Sequence, residues 1–196
     1  MEEIEIKILN IHPQELEQKL QSIGAERTNE FFYRVRAFDF PGLPLANERH
    51  AWVRLRTDGE ETELSYKQRL GVTSHDGSIP DEGMEEIEVK VSDFEHTALI
   101  LSRIGMVEKF YQEKKRIRYR KGDIEYDIDT WPLIPPYLEI EGRSMEAIEE
   151  AAQELGFDPK EAKVCSATQV FKIYGINDIE YSHIGFDKTI KREGTL

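Results

Sequence analysis

The stretch Glu3-Ile4-Glu5-Ile6-Lys7 decides the fold. Its strict alternation is that of a β-strand, whose successive side chains point to opposite faces. One face carries carboxylates and the other aliphatic residues. Nearly the same string returns as Glu86-Ile87-Glu88-Val89-Lys90, and a third version stands at Leu138-Glu139-Ile140-Glu141-Gly142. Each copy leads into a helix-like segment closed by Ile23-Gly24, Ile104-Gly105 or Leu155-Gly156. One unit, an acidic strand followed by a helix, is used three times.

Outward from these copies the rest of the chain falls into short elements. His12-Pro13 opens a helix to Gly24 with Leu16, Leu20 and Ile23 on one face. Residues 30–40 alternate as a strand, and Pro41-Gly42-Leu43-Pro44 reads as a loop. Strands over 52–56 and 64–69 flank a turn at Thr57-Asp58-Gly59. Residues 71–84, rich in glycine, read as a mobile loop. Ser92 with Glu95 three residues on predicts a capping box and a helix to about Gly105. Lys114, Arg116, Arg118 and Arg120 then share one strand face, and Lys121-Gly122-Asp123 turns the chain into a strand over 124–129. Ser144 caps a helix to Leu155, and Asp158-Pro159-Lys160-Glu161 predicts a last helix that carries Cys165. From Gly175 onward the pattern is irregular. About eight strands with three or four helices between them indicate an α+β fold, an antiparallel barrel or rolled sheet, in one domain.

Composition narrows the function. A net charge of -13 argues against a general affinity for nucleic acid polymers or anionic membranes. It leaves room for an anionic ligand if basic residues are gathered in one place. Cys165 is the single cysteine, so no intrachain disulfide forms and a reducing cytoplasm is the simplest location. Its most economical role is core packing. No signal peptide or bilayer-spanning apolar run is evident. His12, His50, His75, His96 and His183 show no metal-ligand spacing, and no glycine-rich phosphate loop is present.

The charged strand faces are sorted by sign. Glu3 and Glu5, Glu86 and Glu88, Asp127 and Asp129, and Glu139 and Glu141 are acidic pairs; Arg54 and Arg56, Lys67 and Arg69, and Lys114, Arg116 and Arg118 are basic sets. The alternate positions, Ile4, Ile6, Val53, Leu55, Ile87, Val89, Ile117, Tyr126, Ile128, Leu138 and Ile140, are apolar and call for cover by the helices. A solvated face is the ordinary explanation for any one strand. Across the whole set it weakens, because like charges at i and i+2 repel and solvated faces mix signs. A sheet rolled with its charges inward gives a polar tunnel instead, which must hold water, cations and a charged ligand to offset the cost of burying ions. Carboxylates without histidine or cysteine suit Mg²⁺ or Mn²⁺, and arginine forks suit phosphate oxygens.

These residues resemble the CYTH superfamily, which takes its name from class IV adenylyl cyclase and thiamine triphosphatase and is also known as the triphosphate tunnel metalloenzymes. Its N-terminal Glu-x-Glu-x-Lys is similar to Glu3, Glu5 and Lys7. Its Arg-x-Arg and following lysine fall on Arg54, Arg56 and Lys67, its central Glu-x-Glu on Glu86 and Glu88, and its Lys-x-Arg-x-x-Tyr on Lys114, Arg116 and Tyr119. Its aspartate and final Glu-x-Glu fall on Asp127, Glu139 and Glu141. The resemblance implies a closed eight-stranded antiparallel β-barrel over residues 1–175, with 176–196 as an extension. It implies Mg²⁺ or Mn²⁺ as cofactor and a triphosphate-containing small molecule as partner: inorganic triphosphate, thiamine triphosphate or a nucleoside triphosphate such as ATP. By this likeness Glu3, Glu5, Asp127, Glu139 and Glu141 hold metal or its water, with Glu3, Glu5, Glu139 and Glu141 as the catalytic set. Lys7, Arg54, Arg56, Lys67, Lys114, Arg116 and Arg118 hold phosphates, and Glu86 and Glu88 are accessory acids that could position basic groups. Asp129 competes with Asp127 for its role.

The family divides by outcome. The His-Phe pair that precedes the acidic strand in many class IV cyclases has no counterpart before Glu3, which favours hydrolysis over conversion of ATP to cyclic AMP. A non-catalytic polyphosphate or nucleotide sensor is the third reading; the full acidic set argues against it, since an anion binder gains nothing from repelling its ligand. Trp131 and Tyr33 could stack on an organic ring, but packing is the simpler role for both. Monomer and homodimer both remain open.

Overall fold

A computed structural model describes residues 4–70 and 84–192. Glu3 and nearly all of the expected loop over 71–84 lie outside them. The chain divides into two compact units, one of Met1–Phe31 with Lys114–Glu180 and one of Phe32–Glu113 with Tyr181–Leu196.

In the first unit β1 (Ile4–Ile8) pairs antiparallel with β8 (Tyr137–Gly142), which pairs with β7 (Ile124–Thr130), which pairs with the later part of β6 (Val107–Lys121). The first and third acidic copies are therefore neighbours: Glu5 faces Glu141 and Lys7 faces Glu139. Two helices cover the apolar face. Helix α1 (Pro13–Ser22) starts with a proline in its first turn and buries Leu16 and Leu20, one helical turn apart. Helix α4 (Met145–Glu154) is capped by Ser144, whose hydroxyl accepts the Ala147 N–H, and it buries Ile148, Ala151 and Ala152. They pack with Ile6, Ile8, Tyr119, Tyr126, Ile128, Leu138 and Ile140 in one core. Gly142 stands where the other copies have Ile6 and Val89. A Cβ there would come within 2.8 Å of both Ile124 and Ile148, so the approach of α4 demands glycine.

In the second unit the earlier copy, in β5 (Met84–Val91), pairs with β4 (Thr62–Arg69), which pairs with β3 (Ala51–Thr57), which pairs with β2 (Glu26–Asp39). Helix α3 (Phe94–Arg103) closes a core of Phe38, Leu55, Phe94, Ala98, Leu101, Met106 and Tyr111. Its N-cap is Asp93, which accepts the His96 N–H, one residue later than the expected Ser92. Ile87 and Val89, expected under a helix, are 59% and 53% exposed.

Four further expectations are corrected. β1 and β5 are each hydrogen-bonded to one strand only among the described residues, so the antiparallel sheet is not closed into the expected barrel. A short helix, α2 (Pro44–Arg49), follows the proline-glycine loop; buried Asp39 accepts the N–H groups of Phe40, Leu45 and Ala46 and so satisfies its start. Residues 159–161 form only a 3₁₀ turn, and the last helix, α5 (Ala167–Ile173), begins at the Ser166–Gln169 capping box. Half-buried Cys165 therefore precedes that helix. The irregular C-terminus contains a hairpin of β9 (Tyr181–Ile184) and β10 (Thr189–Lys191), with β9 parallel to β6 at Tyr111 and Gln112. Among the described residues no helix is long and apolar enough to cross a membrane.

Candidate functional site

Ladder register arranges the ionic face of the first unit in rows. Glu5, Glu141, Glu125 and Arg120 stand opposite one another across β1, β8, β7 and β6. The next row is Lys7, Glu139, Asp127 and Arg118, and the third is Tyr137, Asp129 and Arg116. Alternation aims all of these side chains away from the α1–α4 core.

In the second and third rows Lys7, Asp127, Asp129, Glu139 and Tyr137 are buried, and Arg116 and Arg118 are half-buried. Lys7 is 2% exposed, with its Nζ 2.5 Å from Glu5 Oε1 and 3.1 Å from Glu139 Oε1. Its backbone N–H and C=O both pair with Lys163 at 2.8 Å, which fixes the outer edge of β1 at this point. Arg116 donates from Nε and Nη2 to the two oxygens of Asp129 at 2.6 and 2.7 Å, from Nη1 to Asp127 at 2.5 Å, and from Nη2 to Glu139. Arg118 grips Asp127 with two bonds of 2.8 and 2.7 Å and lies 2.7 Å from Glu125. Lys114 donates to Asp129 at 2.9 Å. Trp131 donates to the Tyr137 hydroxyl at 2.8 Å and meets Phe171 edge-on, so its role in this unit is packing.

Electrostatics follow the geometry. Burial opposes the charge on Arg116, but bonds to Asp129 and attraction from Glu139 and Asp127 outweigh it and hold its pKa well above the usual arginine value. For Lys7 burial is likewise outweighed, by Glu139 and Glu5, and its pKa is raised. Burial would raise the pKa of Asp129; Lys114 and Arg116 overcome it and hold the carboxyl below its ordinary range. Burial also pushes the Tyr137 phenol far up, so it stays protonated.

The first row is more open. Glu5 is 45% exposed, and a polar cavity of about 170 Å³ is lined by Glu125 and Glu141 with Arg120, Arg143 and Asp123. Three carboxylates directly opposed on adjacent strands repel one another, an arrangement that a hard cation would relieve. Among the described residues no three acidic, histidine or cysteine side chains already converge as a metal cage. The donor set fits Mg²⁺ or Mn²⁺ in chemistry, while Asp127 and Glu139 are held by Arg116.

The second unit has a looser ionic face. Arg54 reaches Glu86 at 3.3 Å and Glu88 at 3.7 Å, Lys67 reaches Glu86 at 2.8 Å, and Arg56 reaches Glu63 at 2.5 Å. Burial and the neighbouring Arg56 lower the pKa of Arg54. Glu86 is thus paired with Arg54 and Lys67, and Glu88 with Arg54. Trp52 and Ala37 share this face with Arg54, and with Phe110, His50, Arg69 and Lys109 they line a largely apolar cavity of about 430 Å³.

The structure therefore gathers Lys7, Lys114, Arg116, Arg118, Asp127, Glu139, Glu141 and Glu5 on one face of the first unit, and Arg54, Arg56, Lys67, Glu86 and Glu88 on one face of the second. Sequence reasoning passed over Glu125, Glu63 and Trp52. The signal was present for each: Glu125 precedes Asp127 by two, Glu63 precedes Lys67 by four and Trp52 precedes Arg54 by two, each on the charged side of its strand. Asp129, set second to Asp127, is fully buried and shared by Lys114 and Arg116.

A family model described as CYTH domain matches residues 1–174. Among curated proteins none matches the chain in sequence. Solved structures share the fold. A Pyrococcus horikoshii protein is 18% identical with a TM-score of 0.61, over 86% of this chain and 99% of its own. A Vibrio parahaemolyticus protein, proposed to be an adenylate cyclase, is 14% identical with a TM-score of 0.62, over 87% of this chain and 97% of its own. A Hippeastrum protein, proposed as an adenylyl cyclase and described with a dominant triphosphatase activity, is 18% identical with a TM-score of 0.54, over 89% of this chain and 97% of its own.

Proposed function

The chain belongs to the CYTH family, and from that premise we propose that it is a cytoplasmic, divalent-metal-dependent phosphohydrolase acting on a triphosphate. Residues 1–175 form its CYTH domain and 176–196 an extension of it. The observation that carries the reading is the ionic face of the first unit, where Lys7, Asp127, Asp129 and Glu139 are buried together. Burying ions is costly, and a cluster of them on one sheet face is better explained by a charged ligand than by stability.

Glu5, Glu139, Glu141 and Asp127 would hold Mg²⁺ or Mn²⁺, with Glu3 joining them by family likeness. The bound ion would neutralise phosphate oxygens and lower the pKa of an attacking water. Lys7, Lys114, Arg116 and Arg118 bind and orient phosphate oxygens, and Arg116 and Arg118 stay charged at any working pH because their pKa values are raised. Such fixed cations stabilise charge that develops as the phosphoryl group transfers. Arg54, Arg56 and Lys67 of the second unit carry the same phosphate-binding chemistry, and the apolar cavity beside Trp52 in that unit fits an organic group.

A substrate panel tests this. Purified protein with Mg²⁺ or Mn²⁺ should release phosphate from ATP, thiamine triphosphate or tripolyphosphate, and a chelator should stop it. Cyclic AMP and pyrophosphate from ATP would establish the cyclase reading instead. Tight binding without turnover under any metal would establish a sensor.

A further inference from the structure

Arg116 engages four of its five N–H groups, spread over three carboxylates: Asp129, Asp127 and Glu139. Asp127 and Glu139 are two of the groups assigned above to the metal, and Arg116 is assigned to phosphate. With Arg116 in this arrangement, the acids meant for a cation and the base meant for an anion neutralise each other. A guanidinium with one N–H to spare cannot take a phosphate as a fork without releasing a carboxylate.

Resting on that functional reading, we propose that Arg116 is a resident counterion, held by Asp127 and Glu139 until metal replaces it there and phosphate accepts it. Metal arriving alone must displace a buried guanidinium from two of its three carboxylates and leave it on Asp129 alone. Triphosphate arriving alone must draw Arg116 away and leave Glu139 to Lys7 alone and Asp127 to Arg118 alone. Each of these is the costly half of a broken buried ion pair. Arriving together, the two ligands exchange one set of pairings for another. Metal and triphosphate therefore strengthen each other's binding, and by linkage the factor is the same in both directions.

The test is calorimetric titration with Mn²⁺ in the absence of any phosphate. Arg116→Gln should bind Mn²⁺ at least roughly tenfold more tightly than the unaltered protein, a size in the ordinary range of coupling between sites. Lys114→Gln removes the same charge from the Asp129 side and should gain clearly less. An Arg116→Gln affinity equal to or below that of the unaltered protein overturns the proposal, as does an equal gain in Lys114→Gln, which would mark bulk electrostatics. Should Arg116→Gln fail to fold, the unaltered protein decides. Its Mn²⁺ affinity, corrected for the complex formed in solution, should rise about tenfold with a methylene-bridged triphosphate analogue. Both ligands binding independently overturns the counterion role alone. An analogue that does not bind even with metal overturns the triphosphate reading and this proposal with it.

Discussion

Lys7 and Lys90 close nearly identical strings, EIEIK and EIEVK, and meet opposite fates. Lys7 is 2% exposed and clasped by Glu5 and Glu139; the Lys90 side chain is 67% exposed and pairs with Glu61 in the turn region. The flanks make the difference. β1 lies against β8, whose acids face it, and Lys163 pairs its other edge at Lys7, whereas β5 has β4 as its one described partner. The contrast extends to the two ionic faces. In the first unit each buried acid is shared between two cations, so every group constrains the next; in the second Glu86 is also shared, by Arg54 and Lys67, but the pairs are half-exposed. A local motif therefore sets which way charges point. Its neighbours decide whether those charges are buried and hence chemically consequential.

The contrast is most sharply broken by exchanging the two lysines for methionine. Lys7→Met leaves Glu139 and Glu5 short of a cation in a buried place and should cost about 3 kcal/mol in urea unfolding. Lys90→Met should leave the midpoint unchanged. Equal effects would mean that the two environments are energetically alike.

A smaller effect is expected from acid. The pKa of Asp129 is depressed in the folded protein, so its pairing contributes stability above the unfolded-state value near pH 4 and loses it as pH falls through the folded value. Asp129→Asn should lower stability at neutral pH and flatten the dependence below about pH 4, read by urea midpoints from pH 2 to 7. An unchanged acid limb would place the titrating group elsewhere.

Smallest is the effect of Trp52→Ala. It should raise KM for an organic triphosphate by about tenfold, in line with the loss of one ring contact, and leave tripolyphosphate turnover as it was. Equal losses with both substrates would move the organic group away from the 430 Å³ cavity.

The strand faces were legible because period-two alternation assigns every residue to a side; α1 was legible from the apolar spacing of Leu16 and Leu20, and α4 from its Ser144 cap. Alternation says that a face is apolar but not that anything covers it, which is why exposed Ile87 and Val89 ran against expectation. Six-residue α2 is too short for periodicity, and its cap, Asp39, lies five residues before its first residue. Closure into a barrel is a tertiary property that no single strand encodes. The β9–β10 hairpin is set by packing of His183 on Tyr111, with ring centroids 4.4 Å apart, a contact far away in sequence. In the site, charge sorting revealed which strands carry acids and bases. Which acid meets which base depends on register, and that sharing brought Asp129 and Glu125 into the network.

The proposed function places the chemistry on the buried ionic face, not on the half-exposed one. Its most direct test is Mg²⁺-dependent phosphate release from tripolyphosphate by Glu139→Gln beside Glu86→Gln, both confirmed folded. Glu139→Gln should lose roughly a hundredfold or more, and Glu86→Gln far less. Equal losses, or a larger one for Glu86→Gln, would contradict that placement.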